Sequence, residues 1–333
     1  MRNIWFLPVA LVFLLVTLSG LLLLPRGKRD FISPLIPPKP KPLIAYTYEN
    51  LRQRQYQASG INWEKILTQN KNFTTWIFSF TSDGKRISGT ADLPAGVATG
   101  SALSSPTIMM IHGYAEVAEY YPGFGTEKVA GELAKNGFVT LAPDFLGYGS
   151  SDKPSGNVFE DRFMTYTTVL NLISTYEENC KLKIANCKFG LWGHSNGGQI
   201  ALSVLEISGK KIPAVLWNPV SKPFPYSILY YTDEFDDRGK ALRKNLAEFE
   251  NDYDVELYSL PNYLDWIEAN ILLQQGALDE SVPQKWSDEL AKNLKDKNKK
   301  VTYMVYPGAD HNMQPQWQNA VSDAVSFFKA GLE

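Results

Sequence analysis

The run Lys188-Phe189-Gly190-Leu191-Trp192-Gly193-His194-Ser195-Asn196-Gly197-Gly198 is apolar until it meets a Gly-x-Ser-x-Gly turn, and it resumes as the helical pattern Gln199 to Leu205. A strand must turn sharply into a helix there. The apex residue, Ser195, is then held in a strained backbone conformation, and Gly193 and Gly197 stand where no bulky side chain fits. Ser195 is expected to sit exposed above a sheet. The five-residue pattern alone carries little weight; the strand before it and the helix after it give it force.

The rest of the chain supplies that sheet. Phe73 to Phe80 and Arg86 to Leu93 flank Asp83-Gly84 and read as a hairpin. Strand-like runs follow at Thr107 to Ile111, Phe138 to Ala142, the elbow strand, Ala214 to Trp217, Ile271 to Gln274 and Val301 to Tyr306. Helical patterns separate them, at Glu127 to Lys135, around Phe163 to Ile173, after Ser195, near Trp286 to Leu294, and from about Trp317 to Phe328. Alternation of this kind needs right-handed crossovers, so the expected fold is α/β: a mostly parallel sheet with helices on both faces. Between two sheet strands, residues 221–270 form an insertion that reads as a small cap. Its tyrosines (Tyr226, Tyr230, Tyr231, Tyr253, Tyr258, Tyr263) and Phe235 suit either an aromatic-lined substrate site or ordinary cap packing beside a solvated acidic turn at Asp233 to Asp237, and the second reading is favoured.

At 333 residues the chain can bury one large core plus an appendage. The appendage comes first. Ile4 to Leu24 is almost wholly apolar, near the roughly 20 residues that span a bilayer and without a small-x-small cleavage site. Residues 1–30 are therefore expected to be a membrane anchor, a transmembrane helix in preference to a cleaved signal segment. Residues 31–72, opening with Pro34, Pro37, Pro38, Pro40 and Pro42, read as a stiff stalk and linker, and residues 73–333 as the body. Arg26, Lys28 and Arg29 after the apolar run would keep the body cytoplasmic. Cys180 and Cys187 argue the other way: they flank a short loop that a disulfide could close, unless they are two unrelated thiols. An extracytoplasmic body is the expectation. A formal net charge of -2 and the lack of any long basic run give no reason to expect a nucleic-acid partner.

A serine hydroxyl is a poor nucleophile at neutral pH, so Ser195 needs an imidazole in reach, and the imidazole needs a carboxylate to fix its tautomer. The chain has three histidines. His194 lies inside the elbow and should point away from the apex, and His112 ends a strand before Gly113. His311 is left as the base, in the loop after the last strand. Asp279, in the loop Gln275 to Pro283, is the expected acid, with Glu280 next to it as the alternative. Asp310 adjoins His311, but neighbouring side chains diverge, and it reads as structural. Asp144, in the turn Asp144 to Ser151, reads as scaffold. A tetrahedral intermediate also needs oxyanion donors, each worth ~3 to 4 kcal/mol; the amides of Asn196 and Tyr114 are expected to supply them, with Gly113 admitting a close backbone approach. The order serine, acid, histidine is that of the α/β-hydrolases.

His112-Gly113, the Asp144 to Ser151 turn, Gly193 to Gly198, Asp279 with Val282-Pro283, and Gly308 with His311 together resemble the catalytic domain of the prolyl oligopeptidase family. The resemblance covers roughly residues 73 to 331. It implies Ser195 as nucleophile, Asp279 as orienting acid, His311 as base, and hydrolysis of a peptide or ester substrate with no cofactor and no metal. Peptidases of that family carry an amino-terminal β-propeller, whereas the interval before this body is about the length of one blade of 40 to 45 residues. An esterase is accordingly as well supported as a peptidase. An acyltransferase or a non-catalytic binding module on the same fold are the alternatives.

Overall fold

The computed structural model describes residues 39–182 and 187–332. In chain order its elements are α1 (Tyr48–Gln53), β1 (Asn62–Gln69), β2 (Phe73–Ser82), β3 (Lys85–Pro94), β4 (Thr107–Ile111), α2 (Glu127–Lys135), β5 (Val139–Pro143), α3 (Val158–Lys181), β6 (Phe189–His194), α4 (Asn196–Ser208), β7 (Ala214–Trp217), α5 (Lys240–Asp252), β8 (Ile271–Gly276), α6 (Gln284–Asp296), β9 (Val301–Tyr306) and α7 (Trp317–Leu332), with short helical turns between some of them. One sheet holds all the strands, in the order β1-β2-β3-β5-β4-β6-β7-β8-β9. From β1 to β5 the neighbours are antiparallel, and from β5 through β4 to β9 they are parallel.

Local chemistry sets these elements. Asp83 and Gly84, with φ of 52° and 74°, form the two-residue turn between β2 and β3, a conformation that matches the twist of the paired strands. The Asn157 side chain accepts from the amides of Phe159 and Glu160 and starts α3, while Gly209 in the left-handed region ends α4. The parallel strands are covered on both faces, so β4, β5 and β7 are buried along their whole length and read as unbroken apolar runs. Within β4 the side chains alternate: Ile108 and Met110 pack with Val129, Leu133 and Phe328 of α2 and α7, while Met109 and Ile111 join the core shared with Ile173, Ile200 and Leu205 of α3 and α4.

The sheet opens earlier than the hairpin at Phe73. β1 lies within the stretch expected to be linker, and it is an edge strand with no buried residue, hence with no apolar alternation to read. Only Trp63 turns inward, edge-on to Trp76. The segment before it also docks: the Tyr48 and Ser203 hydroxyls are 2.7 Å apart, Arg52 donates to the Glu206 carbonyl at 2.7 Å, and Tyr258 donates to the Leu43 carbonyl at 3.0 Å. Leu43 to Gln53 is thus bound to α4 and to the cap.

In residues 221–270, Phe224, Phe249 and Tyr258 bury their rings against Phe159 and Phe163 of α3. Tyr258 and Tyr263 are packing residues, as the favoured reading has it, whereas Tyr226, Tyr230 and Phe235 remain exposed. Cys180, near the end of α3, and Cys187, before β6, form a disulfide. The anchor expected at 1–30 and most of the proline-rich stretch lie outside the described residues. Among those described, no helix is long and apolar enough to cross a membrane.

Candidate active site

The carboxyl ends of the parallel strands bring the expected residues to one edge. β6 runs into α4 through Ser195, whose φ of 57° and ψ of −120° are the strained apex that the glycine pattern demands. A Cβ on Gly197 would lie 2.1 Å from the Ile111 carbonyl oxygen, and one on Gly193 would lie 2.4 Å from the carbonyl of Gly197. The turn can close only with glycine at both places.

β8 leads to the acid. Asp279 is buried and Glu280 is exposed, which separates the two candidates. Asp279 Oδ1 accepts from the amides of Ser281 and Val282, at 2.8 and 2.7 Å, and its Oδ2 lies 2.8 Å from His311 Nδ1. A carboxylate held by two amides presents its second oxygen in a fixed direction. Since that oxygen only accepts, Nδ1 of His311 carries the proton and Nε2 is left free.

Two further contacts hold the His311 loop. Its carbonyl accepts from Asn218 Nδ2 at 2.7 Å and from His194 Nε2 at 2.8 Å, and the two imidazoles lie 4.5 Å apart between centroids. Asn218 also accepts from the Gly276 amide at 2.8 Å, so it links the end of β7, the end of β8 and the base loop. Sequence reasoning missed Asn218; the signal was a polar residue directly after the apolar run Ala214 to Trp217. His194, expected to point away from the apex, braces the loop through that bond. Burial and the neighbouring His311 pull its imidazole down to about 4. Asp310 accepts from the amides of Asn312 and Gln314, the structural part expected of it.

Ser195 and His311 are brought to the same edge, yet among the described residues no hydrogen bond joins the Ser195 hydroxyl to the imidazole. Such bonds are often long without substrate and tighten in the complex.

On the other side of Ser195 lies the loop after β4. A Cβ on Gly113 would stand 3.2 Å from Ser195 Cβ and 3.7 Å from its Oγ, so the backbone of this loop passes directly against the nucleophile. His112 Nδ1 lies 2.7 Å from the Gly113 carbonyl, and a carbonyl only accepts, so Nδ1 carries the proton. Burial pulls this imidazole down to about 4, and the rings of Tyr120, Phe145 and Tyr148 pack around it. The Gly113 carbonyl and the Tyr114 N–H share one peptide plane and point opposite ways. His112 therefore fixes the direction of the Tyr114 amide. Among the described residues neither the Tyr114 nor the Asn196 amide donates to a protein acceptor. Asp144 lies behind the loop, accepting from Ser88 Oγ at 2.5 Å and from the Tyr120 hydroxyl, a scaffold role as expected.

A cavity of about 390 Å³ adjoins Tyr114 and Asn196, walled by Val117, Phe145, Tyr148 and Met164.

Residues 131–333 match the family described as the prolyl oligopeptidase family. No curated protein matches the chain. Among solved structures, a puromycin-hydrolysing peptidase of Mycobacterium tuberculosis is similar with a TM-score of 0.57 at 17% identity, over 79% of this chain and 40% of that one. Pyrococcus horikoshii acylaminoacyl peptidase is similar with a TM-score of 0.57 at 18% identity, over 79% of this chain and 42% of that one. An esterase of Pyrococcus furiosus gives 0.55 at 21% identity, over 84% of this chain and 100% of that one. The chain spans less than half the length of either peptidase. At these identities the likeness is one of fold, and the fold is that of the α/β-hydrolases.

Proposed function

Because the chain belongs to the prolyl oligopeptidase family, we propose that it cleaves a carboxylic ester or peptide bond through an acyl-enzyme on Ser195. It is a serine hydrolase. His311 Nε2 takes the hydroxyl proton as Ser195 Oγ attacks the substrate carbonyl, and Asp279 stabilises the resulting imidazolium. The N–H groups of Tyr114 and Asn196 hold the oxyanion. As the carbonyl re-forms, the imidazolium passes its proton to the departing alcohol or amine. Water then attacks the acyl group with His311 as base, the acid leaves, and the hydroxyl of Ser195 is restored.

One observation carries this reading: the buried Asp279 carboxylate, fixed by two amides, lies 2.8 Å from Nδ1 of His311 beside a serine at φ 57°. Family membership supports peptide bonds, and the likeness to a whole esterase supports ester bonds. Purified protein assayed against paired acyl-ester and aminoacyl-amide libraries tests both. Ser195→Ala is expected to lower kcat by about 10⁶-fold and Asp279→Asn by about 10⁴-fold, the second through the wrong imidazole tautomer. Turnover by Ser195→Ala at the parent rate would refute the assignment.

The reading extends to location. The apolar run Ile4 to Leu24 is proposed to anchor the protein in a membrane, with the body on the extracytoplasmic side. The disulfide between Cys180 and Cys187 supports an oxidising compartment.

A further inference from the structure

Arg162 projects from the early turns of α3 without a carboxylate partner. Its Nη2 donates to Gln199 Oε1 at 2.8 Å, while its Nε is buried with no hydrogen-bond partner. Among the described residues no carboxylate oxygen lies within ion-pair distance of it. The neighbouring acids are engaged elsewhere: Glu160 accepts from the Tyr46 hydroxyl at 3.4 Å, and Asp161 accepts from the amides of Ser155 and Gly156 at 2.6 and 3.3 Å.

Its place in the fold is close to the reaction centre. Gln199 lies in the first turn of α4, its amide bonded to the Ser195 carbonyl at 3.3 Å. Asp161 and Thr165 of the same helix wall the cavity that reaches Asn196, and Arg162 itself lies outside that wall. Across the site, the cap residue Tyr231 donates to the Ser281 carbonyl at 3.2 Å, in the loop that carries Asp279, and its phenol feels the charges of both Asp279 and Arg162. A half-buried guanidinium left unpaired costs desolvation that a bound anion would recover, and its planar fork matches a carboxylate.

We propose that Arg162 is a specificity-determining residue that binds a carboxylate on the substrate, so that the ester or amide hydrolysed at Ser195 carries a negative charge on one arm. The inference rests on the serine-hydrolase reading for the identity of the reacting centre, but binding can be measured apart from turnover.

The test uses two matched ester pairs, in which a carboxylate replaces a methyl group: monoethyl terephthalate against ethyl 4-methylbenzoate for the acyl arm, and 4-carboxybenzyl acetate against 4-methylbenzyl acetate for the leaving arm. Calorimetric titration of the full chain carrying Ser195→Ala gives the ratio of affinities within each pair. In at least one pair the anionic ester is expected to bind about tenfold more tightly or better, as charge-assisted hydrogen bonds allow. That ratio should fall to near one when Arg162→Gln is added, recover in part with Arg162→Lys, and shrink with added salt. Equal affinities within both pairs would overturn the proposal, as would a preference that Arg162→Gln leaves intact. Circular dichroism and thermal unfolding show whether Arg162→Gln folds; if it does not, Arg162→Lys decides alone, since an unchanged ratio without the fork overturns the proposal. Failure of the serine-hydrolase reading looks different: esters would still be turned over by Ser195→Ala.

Discussion

At residue scale, the site depends on how closely three pieces of backbone approach Ser195. Gly197 is wedged under the end of β4, and an alanine there must displace the Ile111 carbonyl, backbone that a side-chain shift cannot relieve. Gly197→Ala is expected to lower stability by about 3 kcal/mol, read from chemical unfolding, and to abolish reaction at Ser195. Much of this was legible in the residues themselves. The glycine spacing gives the elbow, and the position of His311 after the last strand, with so few histidines present, points to it as the proposed base. Choosing Asp279 over Glu280 needed the turn geometry, because one residue of register decides which carboxylate is buried. Asn218 was hidden for a different reason: it acts across contacts with His311 and Gly276, segments far from it in the chain.

At the scale of elements, β3 carries a buried acid outside the site. Asp92 is 5% exposed and accepts from Thr75 Oγ1 at 2.6 Å, but burial outweighs that bond and pushes its carboxyl up to about 6. The folded protein therefore holds this proton more tightly than the unfolded chain, whose aspartates ionise near 3.9. The sign follows: for this group stability is greatest below about pH 4 and falls as the pH rises through about 6, by about 3 kcal/mol in all. Asp92→Asn keeps the Thr75 contact and removes the ionisation. Urea unfolding should find the variant more stable than the parent at pH 7 and no more stable at pH 4; the same difference at both pH values would show that the carboxyl does not titrate in this window. Elements themselves were readable where burial is two-sided or capping is local, as in β4, β7 and α2. β1 was not, because an exposed edge strand is held by its ladder to β2 rather than by its own pattern.

At the scale of the whole molecule, the proposed anchor and proline-rich spacer before an α/β body would account for the order of composition along the chain. Removing residues 1–38 should move the protein from the membrane fraction to the soluble fraction without lowering its specific activity. Equal partition of the two forms would remove the case for an anchor. Leu43 to Gln53 is packed on α4 and the cap, so a cut placed beyond Gln53 should cost stability as well. The central claim, a nucleophilic Ser195 served by His311, is tested most directly by intact-mass and peptide mass spectrometry after treatment with a fluorophosphonate. A single adduct on Ser195, absent from Ser195→Ala and slowed by orders of magnitude in His311→Ala, is the result expected. Stoichiometric labelling at another residue, or labelling of Ser195 that proceeds at the parent rate without His311, would contradict it.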